Sequence, residues 1–214
     1  MTINFHNTHF EISSPSLALC PGSSVPEIAF AGRSNSGKST TINTLCNHRQ
    51  LAFASQTPGR TQLLNFFEVR QHGESIARLV DLPGYGYAQL SANEQAVWNK
   101  ELGGYLTTRI SLRGCVLIVD SRRGLQDRDL TFLNFVSPRK LAVHVLLSKA
   151  DKLKTAEKKE ALILAQQLLT PFIENDQEIS LQLWSSTKKL GLTELNEKLT
   201  HWIQTQQSNI LQPI

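Results

Sequence analysis

The sequence predicts an α/β fold built on a mostly parallel sheet. Three observations carry the prediction. Short apolar runs alternate with longer amphipathic segments, several of the runs are apolar on consecutive residues, and the first run leads at once into a glycine-punctuated loop, GRSNSGKS at 32–39. Consecutive apolar positions suit strands covered on both faces, and helical segments between them supply the cover.

In chain order, Glu27 to Ala31 reads as a strand, and Ser39 to Asn47 as a helix from the spacing of Ile42, Leu45 and Cys46. Leu63 to Arg70 and Ser75 to Asp81 are two strands around the tight turn Gln71-His72-Gly73, which makes them an antiparallel hairpin at the sheet edge. Ser91 to Thr108 is a helix whose Ser91 and Glu94 have capping-box spacing. Strands at Cys115 to Asp120, Leu141 to Ser148 and Ile179 to Ser185 then alternate with helices at Asp127 to Ser137, Thr155 to Ile173 and Thr193 to Gln204. The sum is a six-stranded sheet with one antiparallel edge strand and helices on both faces. Residues 1–24, rich in Ser and Pro, read as an N-terminal extension, 25–204 as one domain, and 205–214 as a polar tail.

At 214 residues, 40% hydrophobic and 19% charged, the chain has the size and composition of one ordinary folded domain. MTINFHNTHFEISS has neither a basic start nor an apolar stretch, and runs such as CVLIVD and LAVHVLLS fall short of the ~20 residues of a membrane span. A soluble, cytoplasmic, monomeric protein with no membrane partner is expected. Cys20, Cys46 and Cys115 are odd in number and scattered, so they read as structural thiols. The net charge is only +4, yet Arg122 to Lys159 holds ten Lys/Arg against four Asp/Glu. That excess reads either as a basic face for a phosphate backbone or as a solvated helix surface.

The chemistry lies in the loops. Gly32, Gly37, Lys38 and Ser39 have the P-loop spacing, in which glycines let backbone amides point at phosphates, the lysine reaches the outer phosphates and the serine hydroxyl meets Mg²⁺. Chance gives such a match in a chain this long on the order of once in a hundred. Asp81-Leu82-Pro83-Gly84 ends a buried strand; there an aspartate can hold Mg²⁺ through a water while the glycine amide senses a γ-phosphate. Ser148-Lys149-Ala150-Asp151 ends another, and a carboxylate at Asp151 can accept both the ring N–H and the exocyclic amino group of guanine, a pairing adenine cannot return. Trp184-Ser185-Ser186 can offer an amide to the guanine carbonyl. In TPGRTQ, residues 57–62, a threonine hydroxyl can complete the Mg²⁺ shell, Thr61 ahead of Thr57. Trp98 and Trp202 read as packing residues, His6 and His9 as surface residues, and Asp120 as structural.

GRSNSGKS, TPGRTQ, DLPGYGYA, SKAD and WSSTKKLG, in this order over residues 27–202, resemble the motif series of the EngB (YihA/YsxC) GTPases, within the TrmE-Era-EngA-EngB-Septin-like class. The resemblance implies a Ras-like P-loop GTPase domain in a bacterial cytoplasmic protein linked to large ribosomal subunit assembly and needed for normal division and septation. It implies a ribosomal RNA or pre-ribosomal partner, GTP or GDP as ligand, and Mg²⁺. By matching position, Gly32, Arg33, Ser34, Asn35, Ser36, Gly37, Lys38 and Ser39 take the phosphates. Gly59, Arg60, Thr61, Gln62 and Leu63 form the first switch contact and Asp81, Leu82, Pro83 and Gly84 the second. Ser148, Lys149, Ala150 and Asp151, with Trp184, Ser185 and Ser186, enclose guanine. Ser39 and Thr61 are the implied direct Mg²⁺ ligands, Lys38 and Thr61 the catalytic contacts, and Asn35 the position that binds K⁺ in related potassium-stimulated GTPases.

There are two departures, the first from the family pattern and the second, shared with the family, from Ras-like proteins. Ser148 stands where the family more often has Thr, though the hydroxyl is kept. Tyr85 follows Gly84 where Ras-like proteins carry the glutamine that orients water, so intrinsic hydrolysis is expected to be slow. Two alternatives stay open: a nucleotide-gated binding module with incidental hydrolysis, and an ATP-using P-loop enzyme, for which no acceptor-site or lid segment is found.

Overall fold

A computed structural model describes residues 2–52, 63–85 and 92–205, with backbone only for 92–99. Seven strands, β1 (Thr8–Ser14), β2 (Glu27–Gly32), β3 (Leu64–Gln71), β4 (Glu74–Asp81), β5 (Leu112–Asp120), β6 (Ala142–Ser148) and β7 (Ile179–Leu183), form one sheet in the order β1-β3-β4-β2-β5-β6-β7. Five helices complete it: α1 (Lys38–Leu45), α2 (Ala92–Thr108), α3 (Asp127–Val136), α4 (Thr155–Glu174) and α5 (Leu192–Gln204). The α/β class and the helices on both faces stand as expected. Strands β4, β2, β5, β6 and β7 pair in parallel, and β3 runs antiparallel to β4.

Alternation along the central strands divides the core in two. Ala29, Ala31, Leu117, Val119, Val145 and Leu147 face one side, where they meet Tyr105 of α2, Leu133 of α3 and Leu169 of α4. Ile28, Phe30, Val116, Ile118 and Leu146 face the other and meet Ile42 of α1 with Leu195, Leu199 and Trp202 of α5. Both faces being covered, these strands read as unbroken apolar runs. The β3–β4 turn places His72 at φ 54° and Gly73 at φ 86°, the pair of positive angles a two-residue hairpin turn requires.

The strand count is a correction, seven rather than six. β1 pairs antiparallel with the outer edge of β3, from Thr8↔Val69 to Ser14↔Leu64, with a bulge between Phe10 and Ile12. Its four central residues are exposed, Phe10 at 56% and Ile12 at 42%, so no buried stripe marks it in the sequence. Backbone pairing holds it, with Glu11 bonded twice by Arg78 and Phe10 edge-on to Phe67, and it lies inside the segment read as an extension. Ahead of it, Ile3 and Phe5 are buried in the α1/α5 core, and the Ile3 amide donates to Thr200 Oγ1 at 3.1 Å. β5 also begins earlier than expected, at Leu112, because Gly114 leaves room for Trp202: a Cβ there would lie 2.6 Å from the indole. Among the described residues no helix is long and apolar enough to cross a membrane. Ser91 and residues 206–214 lie outside the described residues.

One buried titratable group sets a pH limit on this fold. The His144 ring, 4% exposed on β6, shares hydrogen bonds with Ser180 Oγ (2.7 Å) and Gln182 Oε1 (2.8 Å) on β7 and meets Trp202 edge-on. Burial pushes its imidazole from 6.5 down to about 4 despite the Gln182 bond, and the nearby Lys198 ammonium pushes the same way. Between those values the unfolded chain binds the extra proton, so this contribution to stability is intact above pH 6.5 and is lost as the pH falls toward 4. The loss is on the order of 3 kcal/mol. Urea midpoints measured across that range are expected to fall more steeply with acid in the wild type than in His144→Asn.

Candidate guanine nucleotide site

The described residues of the expected site gather at the edge formed by the carboxyl ends of the parallel strands, with Leu63 at the amino end of antiparallel β3. Gly32 closes β2, Asp81 closes β4, Ser148 closes β6, and Trp184 follows β7. This is the edge at which open parallel sheets bind ligands, because the loops there emerge together. The registers Phe30↔Asp81 and Gly32↔Ile118 fix how far each loop projects.

The phosphate loop leaves β2 at Gly32, where an added Cβ would lie 2.6 Å from Ser36 Oγ and 2.7 Å from the Ile118 carbonyl. Only glycine lets the chain fold back this tightly. Asn35 (φ 62°) and Gly37 (φ 103°) are left-handed, and Gly37 caps α1, so backbone amides and the positive end of the helix collect at one place. Arg33 and Ser34 lead into this turn, and Ser39 lies in the first turn of α1. The Ser36 hydroxyl is buried without a hydrogen-bond partner among the described residues.

Lys38 Nζ forms an ion pair with Asp81 Oδ1, both side chains being largely shielded from water. Burial pushes the Asp81 carboxyl up, and Lys38 opposes that shift. The Leu82 amide donates to the Phe30 carbonyl at 3.0 Å, and Pro83 carries the chain to Gly84, where a Cβ would stand 3.4 Å from the Ser34 nitrogen. Tyr85 then bridges to Arg33 by backbone pairing, but its side chain turns away. The phenol donates to Asp129 Oδ1 at 2.6 Å, and the ring stacks on Phe132 with centroids 5.7 Å apart. Burial, then the Asp129 carboxylate, holds the phenol far above its ordinary range.

The base loop is welded to the phosphate loop. Ser148 Oγ donates to the Ser36 carbonyl at 2.6 Å, and Lys149 Nζ to the Asn35 carbonyl at 2.7 Å. The hydroxyl kept at Ser148 thus bonds to the 32–39 loop. Lys149 takes a left-handed angle, φ 60°, which lets the Ala150 amide donate to the Trp184 carbonyl at 3.0 Å. Asp151 Oδ1 accepts from Ser185 Oγ at 2.6 Å, and that hydroxyl, followed by weaker electrostatic help from Lys152, keeps the Asp151 carboxyl below its usual range. Trp184 is fully buried, with its indole N–H on Ser186 Oγ at 2.9 Å. Gly59, Arg60, Thr61 and Gln62 lie outside the described residues, as does Thr57, while Leu63 precedes β3. The Trp98 side chain is likewise outside them.

Two features escaped the sequence reading. Asp120 accepts Arg122 Nη2 at 2.6 Å and Lys149 Nζ at 2.9 Å, so it is joined to the base loop as well as to its own turn. Asp129 serves both Tyr85 and, through Oδ2, the Gln126 amide at the start of α3. At least five of the ten basic residues in the Arg122 to Lys159 segment have partners within the fold. Arg122 and Lys149 bind Asp120, Arg139 donates to the carbonyls of Leu106, Arg109 and Leu112, Lys140 reaches the Asn175 carbonyl, and Lys152 pairs with Asp151.

Comparison with known proteins identifies the family. A family model described as "50S ribosome-binding GTPase" matches residues 27–149, from β2 into the base loop. A Paraburkholderia phytofirmans protein named "Probable GTP-binding protein EngB" is 44% identical over 205 residues, 95% of this chain and 94% of its own length. The chain belongs to the EngB family of GTP-binding proteins. A Burkholderia ambifaria EngB relative shares 44% identity over 206 residues. EngB proteins are GTPases, and GTP binding and hydrolysis are the activity of this chain. Two solved structures share the fold. The crystal structure of a probable GTP-binding protein engB has a TM-score of 0.64 at 24% identity, covering 83% of this chain and 98% of that one. Aquifex aeolicus Era, crystallised with GDP and aluminium fluoride, has 0.67 at 22%, covering 86% and 58%.

The contact at Gly32 gives a direct test. Gly32→Ala forces a methyl against the Ile118 carbonyl and Ser36, so the protein is expected to fold while its affinity for a fluorescent GDP analogue falls about ten- to a hundredfold in equilibrium titration.

Proposed function

We propose that the chain is a Mg²⁺-dependent guanine-nucleotide switch of the cytoplasm that acts as a monomer on ribosomal RNA or a pre-ribosomal large subunit, and through that step supports division and septation. The observation that carries the nucleotide part is the joining of Asp151, held ionised by Ser185, to the phosphate loop through Ser148 and Lys149. A purine and its phosphate tail then meet one continuous surface. The ribosomal part rests on the description of the matching family and on the EngB relatives.

Each residue has a role in this reading. Amides from Arg33 to Ser39 take the phosphates, with Lys38 releasing Asp81 to meet them. Asp151 accepts from the base, Lys149 lies along it, and amides near Ser185 and Ser186 meet its carbonyl. The donors suit Mg²⁺, a hard cation that prefers oxygen: Ser39 offers a hydroxyl, and Asp81 is a shielded carboxylate already facing a cation. Ser39 and Thr61 would hold the ion directly and Asp81 through a water. When bound, Mg²⁺ neutralises charge on the phosphate oxygens. Asn35 is the candidate K⁺ ligand.

Slow intrinsic turnover follows from Tyr85. Its hydroxyl is tied to Asp129, and a phenol so placed cannot order a water at the γ-phosphate. A ribosomal partner or K⁺ is the expected accelerator. The GTP-loaded form is expected to sediment with large ribosomal subunits more than the GDP-loaded form, and single-turnover hydrolysis to quicken when subunits are added. No acceleration, with full output from a non-hydrolysable analogue, would leave a binding module with incidental hydrolysis. Turnover unchanged on replacing K⁺ by Na⁺ would remove Asn35 from the account.

Base choice is tested by Asp151→Asn. An amide cannot accept two N–H bonds from guanine but can donate to a xanthine carbonyl. GDP affinity is expected to drop on the order of a hundredfold and xanthosine diphosphate affinity to rise, measured by competition.

A further inference from the structure

Asp120 closes β5 in register with Ser148 of β6, which places it beside the first residue of the base loop. Its two oxygens divide their work. Oδ1 accepts the Arg122 amide (3.1 Å) and Nε (2.9 Å), while Oδ2 accepts Arg122 Nη2 (2.6 Å) and Lys149 Nζ (2.9 Å). The Asp120 carbonyl also accepts the Arg123 and Gly124 amides. A turn that tight, on a strand whose register is fixed by both neighbours, leaves the carboxylate little freedom to swing.

Lys149 is different. Its side chain is long and about one third exposed, and such a side chain in water samples many rotamers. Two contacts remove that freedom: the Asn35 carbonyl on the phosphate loop and the Asp120 carboxylate. Both use the charged ammonium, and the first ends on a neutral carbonyl. The second pairs opposite charges and is the stronger of the two.

We infer that Asp120 is a positioning residue for nucleotide binding: it holds Lys149 across the shoulder of the phosphate loop, in the place where the lysine stem closes on a bound purine. This rests on the reading of residues 148–151 as the base loop. Arg122 aims the carboxylate by bonding both of its oxygens. Asp120 itself touches no nucleotide atom, and its effect is routed through Lys149.

The test is a double-mutant cycle read by the dissociation rate of a fluorescent GDP analogue. Asp120→Asn keeps the shape and removes the charge, and it is expected to speed dissociation about tenfold in the Lys149 protein. In a Lys149→Met background the same change is expected to alter the rate by less than twofold, because the group it acts through is gone. Unchanged dissociation in Asp120→Asn, or an equal acceleration in both backgrounds, overturns the inference; the second result is what a merely turn-bracing aspartate would give. Should Asp120→Asn fail to fold, Asp120→Ser replaces it. In either variant, acylation of Lys149 by an amine-reactive ester, followed by mass spectrometry without nucleotide, is expected to rise severalfold, and no rise contradicts the tether. Asp151→Asn separates the two levels. If it too leaves GDP dissociation unchanged, the reading of the base loop has failed; if it weakens binding while Asp120→Asn does not, only the inference about Asp120 has failed.

Discussion

Two hydrogen bonds between loops organise this molecule: Ser148 Oγ to the Ser36 carbonyl and Lys149 Nζ to the Asn35 carbonyl. A loop that turns its amides inward to receive phosphate must turn its carbonyls elsewhere, and carbonyls facing a shielded space need donors. The base loop supplies them. The residues proposed to meet guanine and those proposed to grip its phosphates are thereby parts of one structure. The sheet makes this possible at modest cost, since parallel pairing of β2, β5 and β6 delivers both loops to the same edge.

A second constraint acts on Lys38. Its ammonium, with Asp81 beside it, is largely shielded, and a shielded lysine must keep a countercharge. Phosphate can supply that countercharge in place of Asp81, so occupancy of the loop and the environment of the chain after β4 are tied together. That chain runs on through Gly84, packed against Ser34, to Tyr85, whose phenol is fastened to Asp129 at the start of α3. Asp129 also caps the helix through Gln126, so Tyr85 is joined to the element and not merely to a side chain.

Much of this was legible in the sequence, for physical reasons that differ by element. β2 and β6 are buried on both faces, and an unbroken apolar run announces such a strand. The phosphate loop was legible because left-handed and close-packed positions demand particular residues at fixed spacing. β1 was not, because an edge strand with exposed Phe10 and Ile12 is held by backbone pairing and by long-range contacts such as Glu11 to Arg78, which no local residue pattern records. Asp120 was read as structural because its reach to Lys149 depends on β5 and β6 being neighbours, a property of topology rather than of sequence order. The basic excess at Arg122 to Lys159 lies mostly on the surface, yet Arg139 and Lys140 also spend donors on carbonyls within the fold. Composition counts charges without saying where they point.

The central claim is that base loop and phosphate loop form a single receptor. A crystal structure of the protein with Mg²⁺ and GDP tests it most directly. The account predicts phosphates on the amides of residues 33–39, the purine on the Asp151 carboxylate, and the Ser148 and Lys149 bonds to the Ser36 and Asn35 carbonyls intact beneath them. A nucleotide bound with Asp151 turned away, or with both of those bonds broken, would contradict it.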